Sequence, residues 1–437
     1  MSAKPTIVAT LACVIGAGTT ALGGGCARDA PPEGQLLVFV DTDVPAELFD
    51  RLRVEVYGPG DREPCTGCTR ELSLDEGRLA KGDVSFGVVP RVGTSGYRAH
   101  VIVFRSGGTA SGTPRRGSSI ERWVQLPPIA ADGIVEVTVV LPSADLAKPR
   151  GSREAPVDVE PGRPRPGFAG SLGASVARAC AGAAREDEAC VPGGVFWMGN
   201  PRLDELDARL TDGRSERLVV VSPYFLDRRE VTVAEMRAAG VARVVDDPSE
   251  AGGAIAGCTY TPAPGANDAL PVNCLSWQRA RAYCAKVGKR LPSEVELEVA
   301  AAGREARSFP WGGDLARCGD AVFDGVGCEG VRPSFAGSGA RDRVSLGGVE
   351  IVDLAGNLRE LARDRFRRGD DACWGEGVLV DPVCDPASGE SPIARSVRGG
   401  SWADDATMLR ASVRSFVEDE RYAVSPIVGF RCARDAR

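Results

Sequence analysis

Cysteine spacing limits what this chain can be. Fourteen cysteines stand in 437 residues. Cys13 lies inside an N-terminal apolar run and Cys26 just beyond it, which leaves twelve, an even number. Ten of the twelve fall into near neighbours: Cys65 with Cys68, Cys180 with Cys190, Cys258 with Cys274, Cys318 with Cys328, and Cys373 with Cys384. Pairs at such spacing clip loops, and they persist only in an oxidising compartment. Cys284 and Cys432 are left without a near neighbour.

Export is also written into the first residues. Thr6 to Leu22 is apolar and follows Lys4, and Gly23-Gly24-Gly25 then leads to Cys26. A basic start, an apolar run and small residues before a break have the shape of a secretory signal. Cys26 directly after small residues resembles a bacterial lipoprotein attachment site, so residues 1–26 are read as a signal and lipid-attachment segment. The protein is expected in the cell envelope, held to the membrane by its N-terminal lipid. A retained span is disfavoured, because about 17 residues rich in Gly and Thr are marginal for crossing a bilayer. Net charge is −7 with no basic block, which argues against nucleic acid as a partner.

Residues 36–145 read as an all-β sandwich. Short β-rich runs occur at Leu36 to Val40, Leu52 to Tyr57, Val84 to Val89, Tyr97 to Phe104, Trp123 to Leu126 and Ile134 to Leu141. Gly, Pro, Asp and Ser punctuate them. Alternation in Arg53-Val54-Glu55-Val56-Tyr57 marks a strand with one solvated face. Cys65-Thr66-Gly67-Cys68 has no second cysteine pair or nearby histidine to share a metal, so it reads as a loop clip. Residues 146–189 are rich in Pro, Gly and Ala and read as a linker, with a short helix at Ser175 to Ala184.

The segment Pro271 to Gly303 holds two helices. Ser276 can cap the first, whose apolar face is Ala280, Tyr283, Cys284 and Val287, and Gly288 ends it. Ser293 and Glu296 form an S-x-x-E capping box for the second. The residues of this segment, PVNCLSWQRARAYCAKVGKRLPSEVELE, resemble the formylglycine-generating enzyme (sulfatase-modifying factor) family. Further family-like blocks appear in order: Gly193 to Gly199, Tyr224 to Asp227 with Glu230-Val231-Thr232, Phe309 to Gly312, Asp353 to Asn357, Val397 to Trp402, and Gly429 to Cys432. The resemblance covers 190–436. It implies an α+β module with a C-type-lectin-like fold, and a disulfide between Cys284 and Cys432.

Family members that make formylglycine hold copper with two cysteines shortly after the G-G-S-[WY] block, because Cu(I) prefers sulfur. Here no cysteine lies between Cys384 and Cys432, so copper is not expected. Asp404 and Asp405 are hard donors, and Met408 offers one neutral thioether. Ala301 and Ala411 stand where many relatives carry a second disulfide. The only histidine is His100, in the N-terminal region, so a histidine iron site or a Ser-His-Asp triad in the module is excluded by count. The resemblance implies one calcium, held by the side chain of Asp353, the carbonyls of Gly356 and Leu358, and Glu360. Oxygen donors of this kind suit Ca²⁺, although Leu361 replaces the family's usual Trp. Trp197, Trp277, Trp311 and Trp402 read as core. Glu294, Glu296 and Glu298 read as cap and solvated face, and Arg359 to Asp371 as an exposed loop. No catalytic residue is assigned. The expectation is a pseudoenzyme-like binding module for a surface protein, peptide or glycan. The alternative is an oxidase acting on sulfatase-type peptides.

Overall fold

The computed structural model describes residues 34–436 apart from 90–94, 111, 130–132, 177, 201–215, 242–256, 329–331, 370, 386–392 and 419–424. The proposed lipid cysteine, Cys26, lies outside the described residues. The chain divides into two compact units between residues 175 and 176. Among the described residues no helix is long and apolar enough to cross a membrane.

The first unit contains a four-stranded and a five-stranded sheet. In the smaller, Gln35–Asp41 lies between Ile134–Val140, which runs parallel to it, and Ser85–Val88, which is antiparallel. In the larger, Arg98–Phe104 lies between Arg51–Tyr57 and Ser119–Gln125, antiparallel to both. The alternation read in the sequence is realised: Leu52, Val54 and Val56 are buried and Arg53 and Glu55 face outward. Thr69–Ser73, too polar to announce itself, adds an edge strand beside Arg51–Tyr57.

Residues 146–175, expected as linker, are part of this unit. Val157–Asp158 pairs with Ser119–Gln125, and Glu160–Pro161 pairs with Ile134–Val140. Pro and Gly prevent long strands here, but two-residue pairings survive because arginines tie the segment down. Arg98 donates to the Arg153 carbonyl at 2.7 Å, and Arg163 forks onto Glu136. The helix expected at 175–184 is instead Ser171–Val176.

His100 sits on the outer face of the larger sheet, opposite Glu55 on one strand and Trp123 on the other. Its ring stacks on Trp123 at 4.3 Å, and Nε2 is 2.9 Å from Glu121. Burial works against the charged ring, but Glu121 and Glu55 together raise its pKa, and the His100 bond holds the Glu55 carboxyl down at about 2. It is a satisfied strand residue.

The second unit is β-rich with few helices. Its first and last strands share one sheet as opposite edges: Tyr224–Asp227 lies between Glu188–Val191 and Ala433–Asp435. A second sheet joins Gly194–Met198, Arg217–Val221 and Leu379–Val380. A third orders Arg414–Glu418, Ala394–Arg398, Arg359–Arg365 and Val428–Gly429. The Arg359 to Asp371 stretch is therefore no exposed loop. Its first seven residues form an inner strand on which Glu360 and Asp364 are buried.

Both expected helices form, at Trp277–Lys286 and Glu294–Ala302, and the Ser293–Glu296 capping box is complete. Ser276 occupies the N-cap position of the first without a side-chain bond. The second helix is buried on every side, which corrects the solvated face expected for its glutamates. Glu294 accepts from Arg414, Glu298 pairs with Arg398, and Glu296 takes two bonds from Arg290 at 2.6 and 2.7 Å. Buried carboxylates need such partners, since an unpaired charge in a low-dielectric core is costly. Trp197 and Trp277 are core; Trp311 and Trp402 are only partly buried. Ala301 and Ala411 pack in one apolar cluster.

Six disulfides join the near-neighbour pairs and Cys284 to Cys432. Every cysteine from Cys65 to Cys432 is thereby consumed. Such density belongs to an exported protein.

Candidate functional site: a carboxylate cluster and the segment after Ser401

Residues 353–358 make a turn between the hairpin strand Val349–Val352 and the strand Arg359–Arg365. Asp353 (φ 56°) and Asn357 (φ 67°) adopt the left-handed region, which short polar side chains tolerate better than most. Gly356 is required for space, because a Cβ there would stand 2.7 Å from the Val322 carbonyl. Two buried acids pin the turn. Asp342 accepts from the N–H groups of Leu354, Ala355 and Gly356 at 2.8–3.1 Å. Glu230 accepts from Leu358 N–H at 3.0 Å and from Asn357 Nδ2 at 2.7 Å.

Arg431 supplies the cation. Its Nε lies 2.8 Å from both oxygens of Glu360, and Nη2 donates to Glu360 Oε1 and to the carbonyls of Val352 and Asp353. One guanidinium thus faces four buried carboxylates: Glu230, Asp342, Asp353 and Glu360. Burial pushes the Glu230 carboxyl well up, raises Asp342, and lifts Asp353 to about 7, with Asp342 adding to that last shift.

Of the four residues read from the sequence as calcium ligands, Asp353, Gly356 and Leu358 lie in this turn and Glu360 on the strand that follows it. Asp353 Oδ2 accepts from Gly337 N–H at 2.6 Å, whereas its Oδ1 is buried without a partner among the described residues. An orphaned carboxylate oxygen in an acid-rich cluster fits a hard cation. Among the described residues no three His, Cys, Asp or Glu side chains group to hold a metal. A cation here would rest on Asp353, Glu360 and backbone carbonyls. Glu360 would share its oxygens with Arg431. The roles of Glu230, Asp342 and Arg431 were not assigned from sequence. Glu230 and Arg431 do lie in family-like blocks, but nothing local says that residues about 200 apart meet.

The segment after Gly399-Gly400-Ser401-Trp402 is closed. Gly400 is needed there, because a Cβ would lie 2.6 Å from Leu409 and 3.0 Å from the Ala355 carbonyl. Asp404 takes a fork from Arg359, with Nε at 2.8 Å, and a bond from Ser401 Oγ at 2.7 Å. Arg359 also donates to Ser415 at 3.0 Å. Leu409 is fully buried with Phe309 and Ala355. The carboxylate is neutralised and the apolar side chain is packed, so neither is available as a ligand.

Residues 175–436 match the family described as Sulfatase-modifying factor enzyme 1-like domain. A formylglycine-generating enzyme of Thermomonospora curvata is 27% identical over 295 residues, spanning 56% of this chain and 92% of that protein. The inactive C-alpha-formylglycine-generating enzyme 2 of Bos taurus is 31% identical over 183 residues, or 38% of this chain and about half (51%) of that protein. The solved structure of PvdO from Pseudomonas aeruginosa aligns over 57% of this chain and 96% of its own, with 24% identity and a TM-score of 0.45. The match takes in more than half of the chain and all the elements just described for the second unit, and on that ground the protein belongs to the sulfatase-modifying factor family.

Proposed function

We propose that this is an exported, lipid-anchored protein whose second unit, with a C-type-lectin-like fold, is a non-catalytic binding module, carried behind a β-sandwich. Its partner is a surface protein, peptide or glycan. The observation that carries this reading is the state of sulfur: all twelve cysteines from Cys65 on are in disulfides, so no thiol remains to hold copper. The Arg359–Asp404 pair and buried Leu409 after Ser401 support it. The relative from Thermomonospora curvata, matched over nearly its whole length, favours the second reading, a formylglycine-forming oxidase.

One experiment separates them. Incubated with copper and oxygen, the protein should leave a C-x-P-x-R peptide unchanged by mass spectrometry. A product that has lost hydrogen sulfide and gained one oxygen would establish the oxidase instead.

Calcium is part of the proposal. Asp353 would hold it through Oδ1, with the carbonyls of Gly356 and Leu358 and with Glu360. The ion supplies positive charge to a cluster that Arg431 alone underserves. At one hundred times its Kd, calcium should stabilise the fold by about 2.7 kcal/mol. Asp353 holds its proton up to about pH 7, so proton and metal compete below that. The melting shift should accordingly be larger at pH 8 than at pH 6, and Asp353→Asn should shrink it. A melting temperature indifferent to calcium and chelator at both pH values would reduce the site to a plain turn.

A further inference from the structure

A cleft of about 540 Å³ in the second unit has no part in either reading above. Its rim carries three acids and three arginines. The acids are already satisfied. Glu296 and Asp435 both accept from Arg290, the latter from Nε at 2.9 Å, and Asp381 accepts from the N–H and Oγ of Ser222, both at 2.7 Å.

The other two arginines are different. Arg178 and Arg363 make backbone contacts only: Arg178 with Gly193, and Arg363 N–H with the Pro292 carbonyl at 2.8 Å. Among the described residues neither guanidinium has a hydrogen bond or ion pair, and Arg363 acts on the buried Asp364 only through space. Each presents five donors in a planar fork. The cleft has therefore spent its acceptors and kept its donors. Formal charges around it balance, so it offers no excess field for a dianion and suits a single negative charge. Val221, Pro223, Val295 and Val383 also line it, a surface for an apolar body.

We propose that this cleft binds a singly charged oxyanion on an apolar body, a carboxylate or a sulfate monoester, through Arg178 and Arg363. Guanidinium forks match the geometry of both head groups. The site does not depend on whether the unit is catalytic.

Titration calorimetry of the full-length protein with benzoate and with phenyl sulfate tests it, and the tighter probe identifies the head group. Saturable one-site binding is expected. Arg178→Gln and Arg363→Gln should each weaken it about tenfold, as expected for loss of a charge-assisted fork. Arg70→Gln, on the exposed edge strand of the first unit, should bind as the parent does. With no partner for either guanidinium among the described residues, both variants should melt with the parent. Should Arg363→Gln prove unstable, Arg363→Lys keeps the charge, loses the fork and should still bind more weakly. The assignment fails if neither probe saturates, or if the folded variants keep the parent's affinity.

Discussion

Arg431→Met should destabilise the second unit by about 3–5 kcal/mol, the usual consequence of removing one partner from a buried ion pair. Arg431 is fully buried, and among the described residues its guanidinium is the one charged partner of Glu360 at hydrogen-bond distance. The variant leaves Glu360 among Glu230, Asp342 and Asp353 without its guanidinium, and the carbonyls of Asp227, Val352 and Asp353 lose a donor as well. Urea unfolding followed by tryptophan emission reads the effect, because five of the six tryptophans lie in this unit. Adding Glu360→Gln should recover part of the loss, since the uncompensated charge is the larger cost. A loss below ~1 kcal/mol, the scale of an exposed pair, would mean that the cluster is solvated or already protonated.

Cys284→Ala combined with Cys432→Ala should lower stability by about 5 kcal/mol in the chain-entropy picture, the largest effect expected of any disulfide here. The reason is loop length. This bridge spans 148 residues, whereas the other five span 3 to 16. It ties the helix Trp277–Lys286 to the last strand region, where Tyr283 meets Phe430 edge to face at 5.5 Å. Removing Cys65–Cys68 should cost ~2 kcal/mol by the same relation. Equal midpoints for parent and Cys284/Cys432 variant would refute the ranking, and non-reducing peptide mapping checks the pairing itself.

Much of the architecture was legible because its signals are local. Period-two alternation placed the strands of the first unit, and the Ser293–Glu296 box placed a helix start to the residue. Spacing alone paired ten cysteines as the fold pairs them, and the eleventh and twelfth followed from family resemblance. What escaped is what depends on distant partners. Glu294 reads as solvated until Arg414 and Ser396, more than a hundred residues on, arrive beside it. Glu360 looks like a free calcium ligand until Arg431 reaches it. Val157–Asp158 and Glu160–Pro161 carry no strand signal at all, because their pairing is made by the neighbours. The orphaned Asp353 Oδ1 and the two unpartnered arginines of the cleft exist only in three dimensions.

The disulfide pattern also sets an order of events. A chain crossing a membrane emerges from its N-terminus, and a bridge can close once its second cysteine is out. Five bridges need no more than seventeen residues of emerged chain, so each can form in passing. Cys284 must wait for Cys432, which follows 148 residues later. Until then it is the one thiol of the mature unit exposed to wrong partners, notably Cys258 and Cys274 just ahead of it and Cys318 just behind. Early closure of the short bridges removes those competitors, so the chain reaches its final pairing with a single choice left.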